Sequence, residues 1–357
     1  MTEKLRNLLH DRATRVDFST PDLDSLVRAG DRRRRRRTGA LAGGVAALAV
    51  AGALVVPALS GDDPEGPATH ATSTLPVDEL SWVTGSVIHA GDEAVDVGVP
   101  VAAYVATVSG YAFAGTDGTI YALVDGEVSE IGHTDGDAAR LVTDHGSSLV
   151  GWVSTQGGVP AFVVHDLATG SRVLEDGSTV GRRPYFYALD GDTAYWRDEH
   201  GAVAVDVTTR EVEVLQDDAG GDFDLIDVQD GVIALTRNGQ GITVGTSADD
   251  AHRLPGVFAS TGVLSPGATA FAPDAEELTV LGVSDGRDLT PTLSGYYFST
   301  VYEWADDDTV RVTALEEEGG SFDLLSCTIS TGECELVVEG AGREDGLQLP
   351  VGVPLGG

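Results

Sequence analysis

The stretch "LDGDTAYWRDEHGAVAVDVTTREVEVLQ" (Leu189–Gln216) carries three turn signals, and each one feeds a short apolar or alternating run. Asp190-Gly191, Glu199-His200-Gly201 and Thr208-Thr209-Arg210 are turn chemistry, and the runs between them have the period-2 character of strands. Such a meander of short strands cannot bury both of its faces alone, so it needs neighbours of the same kind.

The chain supplies them. The first signal, a turn followed by an apolar strand, recurs as "VSGYAFAG" at Gly110, "DHGSSLVGWV" at Gly146, "LDGDTAYW" at Gly191, "QDGVIALT" at Gly231, "SPGATAFA" at Gly267 and "DDDTVRVTAL" at Asp308. The successive intervals are 36, 45, 40, 36 and 41 residues. A second series ("TDGTIYAL", "QGGVPAFVV", "EHGAVAVDV", "GQGITVG", "AEELTVLG", "GGSFDLLS") trails the first by one hairpin. A third ("VDGEVSEIG", "LATGSRVLE", "TTREVEVLQ", "ADDAHRLPG", "SDGRDLTPT", "STGECELVV") opens the outer strands. A weaker copy, "HAGDEAVDVG" (His89–Gly98), precedes them without its own leading strands. A period near 40 with about four strands per unit is the pattern of a β-propeller. Six units and one partial unit predict seven blades, the partial unit being completed from the other chain end; six blades is the alternative. The fold expected over residues 81–357 is therefore all-β, a β-propeller.

Composition adds a location. The chain has 357 residues and a formal net charge of −35, yet residues 1–37 hold eleven Lys and Arg against six Asp and Glu. Six of those positive charges are Arg32, Arg33, Arg34, Arg35, Arg36 and Arg37. Thr38–Leu59 follows as 22 residues without a charge, about 33 Å as a helix and close to the thickness of a bilayer core. The positive-inside rule makes the arginines topology determinants, with residues 1–37 cytoplasmic and the chain beyond 59 outside the cell. A cleaved signal peptide is the rival reading, but its leader would be unusually long. The expected organisation is a basic cytoplasmic leader with short amphipathic helices (1–37), a transmembrane helix (38–59) contacting membrane lipid, a flexible linker (60–80) and an extracytoplasmic propeller. The leader is also a candidate docking segment for a cytoplasmic protein. The acidity of the outer part excludes nucleic acid as a partner.

Candidate sites are few. Cys327 and Cys334 flank "TISTGE"; in a hairpin turning at Ser330–Gly332 they face each other within bridging distance, which predicts a disulfide. No P-loop, H-E-x-x-H or Cys-His arrangement is present, and no catalytic residue, cofactor or metal ligand is assigned. Asp beside Gly, as in Asp190-Gly191-Asp192 and Asp306-Asp307-Asp308, is explained by bonding to its own turn. Aromatics at strand starts are mostly core, but those facing a propeller channel can hold a ligand; Tyr187, Trp196, Tyr297 and Trp304 are the candidate platform.

The segment "HDLATGSRVLE" (His165–Glu175) resembles the D-x-x-T-G turn of WD40-like and quinoprotein-like propellers. The Trp-Asp dipeptide of the former and the tryptophan-docking signatures of enzymes using pyrroloquinoline quinone are absent. The plan of leader, arginine cluster, single span and acidic propeller resembles uncharacterised actinobacterial membrane proteins. Some single-pass proteins of that plan regulate sigma factors, although the leader here lacks the His-x3-Cys-x2-Cys zinc pattern of one such class. The function expected is non-enzymatic binding of a ligand or protein outside the cell, as a sensor or scaffold. The alternatives are a propeller hydrolase or lyase using channel carboxylates, and a membrane-bound regulator whose leader binds a transcription factor.

Overall fold

The computed structural model describes residues 75–135, 139–177, 184–217, 223–237, 241–248, 250–257 and 261–355. The leader, the arginine run Arg32–Arg37, the apolar segment 38–59 and the linker up to residue 74 lie outside the described residues. Among those described, no helix is long and apolar enough to cross a membrane.

The described chain forms seven separate antiparallel sheets, which follow one another along the sequence. After β1 (Ser81–Thr84), β2 (Val87–Ala90) and β3 (Glu93–Asp96), the second sheet is β4 (Val101–Thr107), β5 (Gly110–Gly115), β6 (Thr119–Val124) and β7 (Glu127–His133). The third is β8 (Leu141–Thr143), β9 (Leu149–Ser154), β10 (Ala161–Asp166) and β11 (Ser171–Asp176). Next comes the stretch quoted above, with its leading strand: β12 (Tyr185–Asp190), β13 (Thr193–Asp198), β14 (Gly201–Asp206) and β15 (Val212–Asp217). The fifth holds β16 (Phe223–Gln229), β17 (Val232–Arg237), β18 (Ile242–Gly245) and β19 (His252–Arg253). The sixth has three strands, β20 (Gly262–Leu264), β21 (Ala270–Pro273) and β22 (Leu281–Gly282), and the seventh is β23 (Phe298–Trp304), β24 (Thr309–Leu315), β25 (Phe322–Thr328) and β26 (Glu333–Gly342). The sixth sheet's outer edge is held by single bonds, Leu289 N–H to Val280 O at 2.8 Å and Gly282 N–H to Arg287 O at 2.9 Å. Pro291 follows there, and its missing N–H cannot extend a ladder.

The last strand, β27 (Leu347–Gln348), returns to the first sheet and pairs with β1 (Thr84 with Leu347, Val83 with Gln348). The partial N-terminal unit thus takes its first strand from the C-terminus, and the count is seven blades. First strands of successive blades lie side by side: β27 with β4, then β8, β12, β16, β20 and β23.

Burial follows the same logic. Among the described residues there are seven apolar clusters, one per blade interface, including one between the seventh and first blades (Leu80, Tyr302, Phe322, Leu324, Leu347 and Leu349). Inner and middle strands have two buried faces because a neighbouring blade covers each, which is why strands such as β5 and β14 are apolar throughout rather than alternating, while outer strands such as β7 and β11 are largely exposed. Between the third and fourth blades, Phe162 stacks on Trp196 at 4.5 Å and Phe186 meets both edge-on. Gly151 makes room for that group, since a Cβ there would lie 2.5 Å from the Phe186 ring.

Two local outcomes bear on the sequence reading. Cys327 and Cys334 are directly opposite on β25 and β26 and form a disulfide, closing the hairpin. Residues 75–80, read from composition as the end of a linker, instead pack on the domain: Leu75 and Leu80 are buried, and the Tyr111 hydroxyl donates to Pro76 O at 2.5 Å. The alternating apolar positions of "LPVDEL" were hidden at the end of a Pro/Ser/Thr-rich run.

Candidate functional site

A cavity of 390 Å³ lies where the first strands of the blades converge. The second to seventh blades contribute to its wall, and so do both ends of the described chain, through Val77 and Asp78 at one end and Pro350 and Val351 at the other. Its position follows from the fold: seven short strands around an axis leave a gap that side chains only partly fill.

The charged groups lining it are Arg140, Asp144, His145, Asp227, Glu303 and Arg311, with Asp78 at the rim supplied by the N-terminal segment. Arg140 precedes β8. Its Nε donates to Phe186 O at 2.8 Å and its Nη2 to Tyr187 O at 3.3 Å, and its guanidinium lies over the Tyr185 ring at 4.6 Å. Arg311, on β24, donates to Asp78 O and Glu79 O and pairs with Glu303, all at 2.9 Å. Burial raises the Glu303 carboxyl above the usual range, and the Arg311 charge opposes that rise. The His145 imidazole is lowered, chiefly by burial.

Asp227 stands in a bulge of β16. Its two oxygens accept the N–H groups of Val228 and Leu264, each at 2.8 Å. Burial nonetheless pushes its pKa up to about 7, because removal from water outweighs the two donors and the Asp144 charge adds to the rise.

Asp227 belongs to a recurring device. Asp144 accepts the Gly191 N–H at 2.9 Å, Asp190 accepts those of Asp230 (3.2 Å) and Gly231 (2.8 Å), and Asp307 accepts that of Gly267 at 2.6 Å. In each case the aspartate at the inner end of one blade holds the first turn of an adjacent blade. The sequence reading assigned Asp190 and Asp307 to their own turns, and the structure corrects it. Asp306, which accepts the Asp308 N–H at 2.8 Å, behaves in the local way. The correction has a simple cause: the inner turns are crowded together at the hub, so the nearest free donor is across the blade gap.

The four aromatics expected as a platform are not brought together. Tyr187 and Trp304 reach the cavity wall, and Trp304 is fixed there by its indole N–H to Val263 O at 3.3 Å. Trp196 is buried between blades, in the cluster with Phe162 and Phe186. Tyr297 is 67% exposed, away from the other three environments. Residues that the sequence did not single out, Arg140, Asp227, Glu303 and Arg311, carry most of the cavity's charge. No local spacing could have found them together, since they come from the third, fifth and seventh blades. Among the described residues, no group of three or more His, Cys, Asp or Glu is arranged to hold a metal ion.

The fold and hub define the class of protein, a seven-bladed β-propeller with a polar cavity on its axis. Several solved structures are similar to it. A prolyl endopeptidase matches with a TM-score of 0.50 at 11% identity, over 76% of this chain and 47% of that one. TolB from Acinetobacter baumannii matches at 0.41 and 18% identity, over 71% of this chain and 68% of that one. A chain of the mitotic checkpoint complex matches at 0.45 and 12%, over 79% and 88% respectively. At such identities the likeness concerns the fold alone. No protein-family model matches the sequence. No curated protein matches it by sequence either.

Proposed function

We propose that this chain is a membrane-tethered extracytoplasmic propeller that binds a small polar ligand in its axial cavity and catalyses no reaction on it. The observation that carries this reading is the state of the cavity's carboxylates. Asp144, Asp227 and Glu303 each hold a backbone N–H or a guanidinium of the protein itself. They shape a site and give it polarity, whereas paired acid–base chemistry needs carboxylates directed at a substrate. The tether is residues 38–59, oriented by Arg32–Arg37, and the Cys327–Cys334 disulfide accords with an oxidising compartment outside the cytoplasm.

The test uses the full chain in lipid nanodiscs, screened by thermal shift against small polar solutes, beside Ala106→Trp, which fills the cavity. Ligands of the axial site raise the midpoint of the natural chain and leave the variant unmoved. Hits that shift both proteins equally refute the assignment. The topology is checked in cells by protease added from outside, which should cut the propeller and spare residues 1–37.

One observation favours the hydrolase or lyase reading: Asp227, at about 7, is poised near neutrality as a general acid or base. Turnover of a glycan or ester that vanishes in Asp227→Asn would establish it.

A further inference from the structure

The N-terminal segment 75–80 is a strap across the seam of the ring, and it forms part of the cavity wall. Leu75 is buried among residues of the first and second blades, including Val83 and Tyr111. Tyr111 holds Pro76 O, and Arg311 on the seventh blade holds the carbonyls of Asp78 and Glu79. Leu80 O accepts the Gly91 N–H at 3.1 Å, and the Glu79 carboxylate lies where a Cβ on Gly91 would be, at 2.4 Å. The strap therefore touches three blades at the point where the ring is closed by the two-residue β27.

The same few atoms face the cavity. Val77 and Asp78 line it, and the guanidinium that grips Asp78 and Glu79 also pairs with Glu303, another lining residue. A body that occupies the cavity near Glu303 and Asp78 must share or displace those contacts. We propose that the strap is the coupling element of this propeller: occupation of the axial cavity loosens the Arg311 grip and frees residues 75–80. The proposal rests on the cavity being the binding site. By linkage, holding the strap in place disfavours occupation to the same extent that occupation loosens the strap.

The test supplies its own occupant, so it can fail while the binding reading stands. The only two cysteines of the chain are joined in the disulfide, so Ala106→Cys, on the cavity wall, is a unique thiol. It is modified with N-ethylmaleimide in the full chain. Two readouts follow the strap: cleavage after Glu79 by a glutamate-specific protease, and hydrogen exchange of the Gly91 amide. The adduct is expected to accelerate both by about tenfold, the population change that accompanies loss of one hydrogen bond to a charged donor. Other glutamates should be cut at the natural rate, and an adduct on Thr208→Cys, at an exposed turn of the fourth blade, should change nothing. Arg311→Met is expected to show fast cleavage already, with no further rise on adding the cavity adduct. An adduct that forms and leaves Glu79 as protected as before overturns the proposal. So does a thiol at residue 106 that the reagent cannot reach, or acceleration shared by glutamates throughout the chain.

Discussion

Replacing Gly352 by Ala should be among the most damaging single-methyl changes in this protein. Gly352 lies in the C-terminal tail, where the chain passes between the inner strands of the second and third blades. Its N–H donates to Tyr104 O at 2.9 Å and its carbonyl accepts the Leu141 N–H at 2.8 Å, so one residue stitches β4 to β8. Its φ is +73°, and a Cβ would stand 1.9 Å from Leu141 O and 3.0 Å from Val105. Backbone oxygen cannot move aside without breaking its own bonds. The left-handed conformation costs an alanine about 1 kcal/mol, and loss of the two hydrogen bonds costs about 1 kcal/mol each. Displacing the tail from its packing brings the total to about 4 kcal/mol, with the midpoint of thermal unfolding lowered by roughly 7 °C for a domain of this size. Gly170→Ala is the control: its φ is +64°, but nothing lies within 4 Å of the added Cβ, so it should lose about 1 kcal/mol only. Equilibrium unfolding in urea, read by tryptophan fluorescence, measures both. If the two variants are destabilised equally, the steric argument is wrong and only the backbone conformation matters.

Three further outcomes are expected. Asp227→Asn should stabilise the protein progressively as pH rises: the raised acid favours the neutral form, so the natural chain loses stability between pH 3.8 and about 7. The relative gain between pH 4 and pH 8 should approach about 4 kcal/mol, and unfolding curves that keep the same difference at both pH values would contradict it. His165 is buried with neither ring nitrogen partnered, and burial holds its pKa below 6.5. Its contribution is complete above pH 6.5 and is lost as pH falls below that, so His165→Phe should gain about 1 kcal/mol at pH 5.5 relative to the natural chain, and less at pH 8, by thermal scans. Reducing the Cys327–Cys334 bridge, or replacing both residues by Ala, should cost about 2.5 kcal/mol from the short loop it closes, with the far-ultraviolet β spectrum unchanged.

The blade pattern could be read from residues because each strand and turn is a local event. Leu189–Gln216 declares its turns through Asp-Gly, His-Gly and Thr-Thr-Arg, and the structure places β13, β14 and β15 between them. The disulfide was legible for the same reason, since both cysteines belong to one hairpin. The platform of aromatics was not. Tyr187, Trp196, Tyr297 and Trp304 have similar sequence settings, but blade packing sends them to the hub, an interface and the surface. The aspartates show the limit most clearly: beside a glycine, Asp190 looks like a local turn residue, yet its carboxylate serves the next blade's Gly231.

By itself, then, the sequence determined the repeat and the bridged hairpin, which rest on short-range chemistry and a fixed period; it left six blades beside seven, and the pairing of β1 with β27 from the far end of the chain decided the count. The arrangement at the hub was decided only when seven blades converged. There, Arg140, Asp227, Glu303 and Arg311 come from the third, fifth and seventh blades, and residues 77–78 and 350–351 complete the wall. Their proximity is a product of ring geometry, and the raised Asp227 acid is a product of the burial that comes with it; no local stretch of residues encodes either.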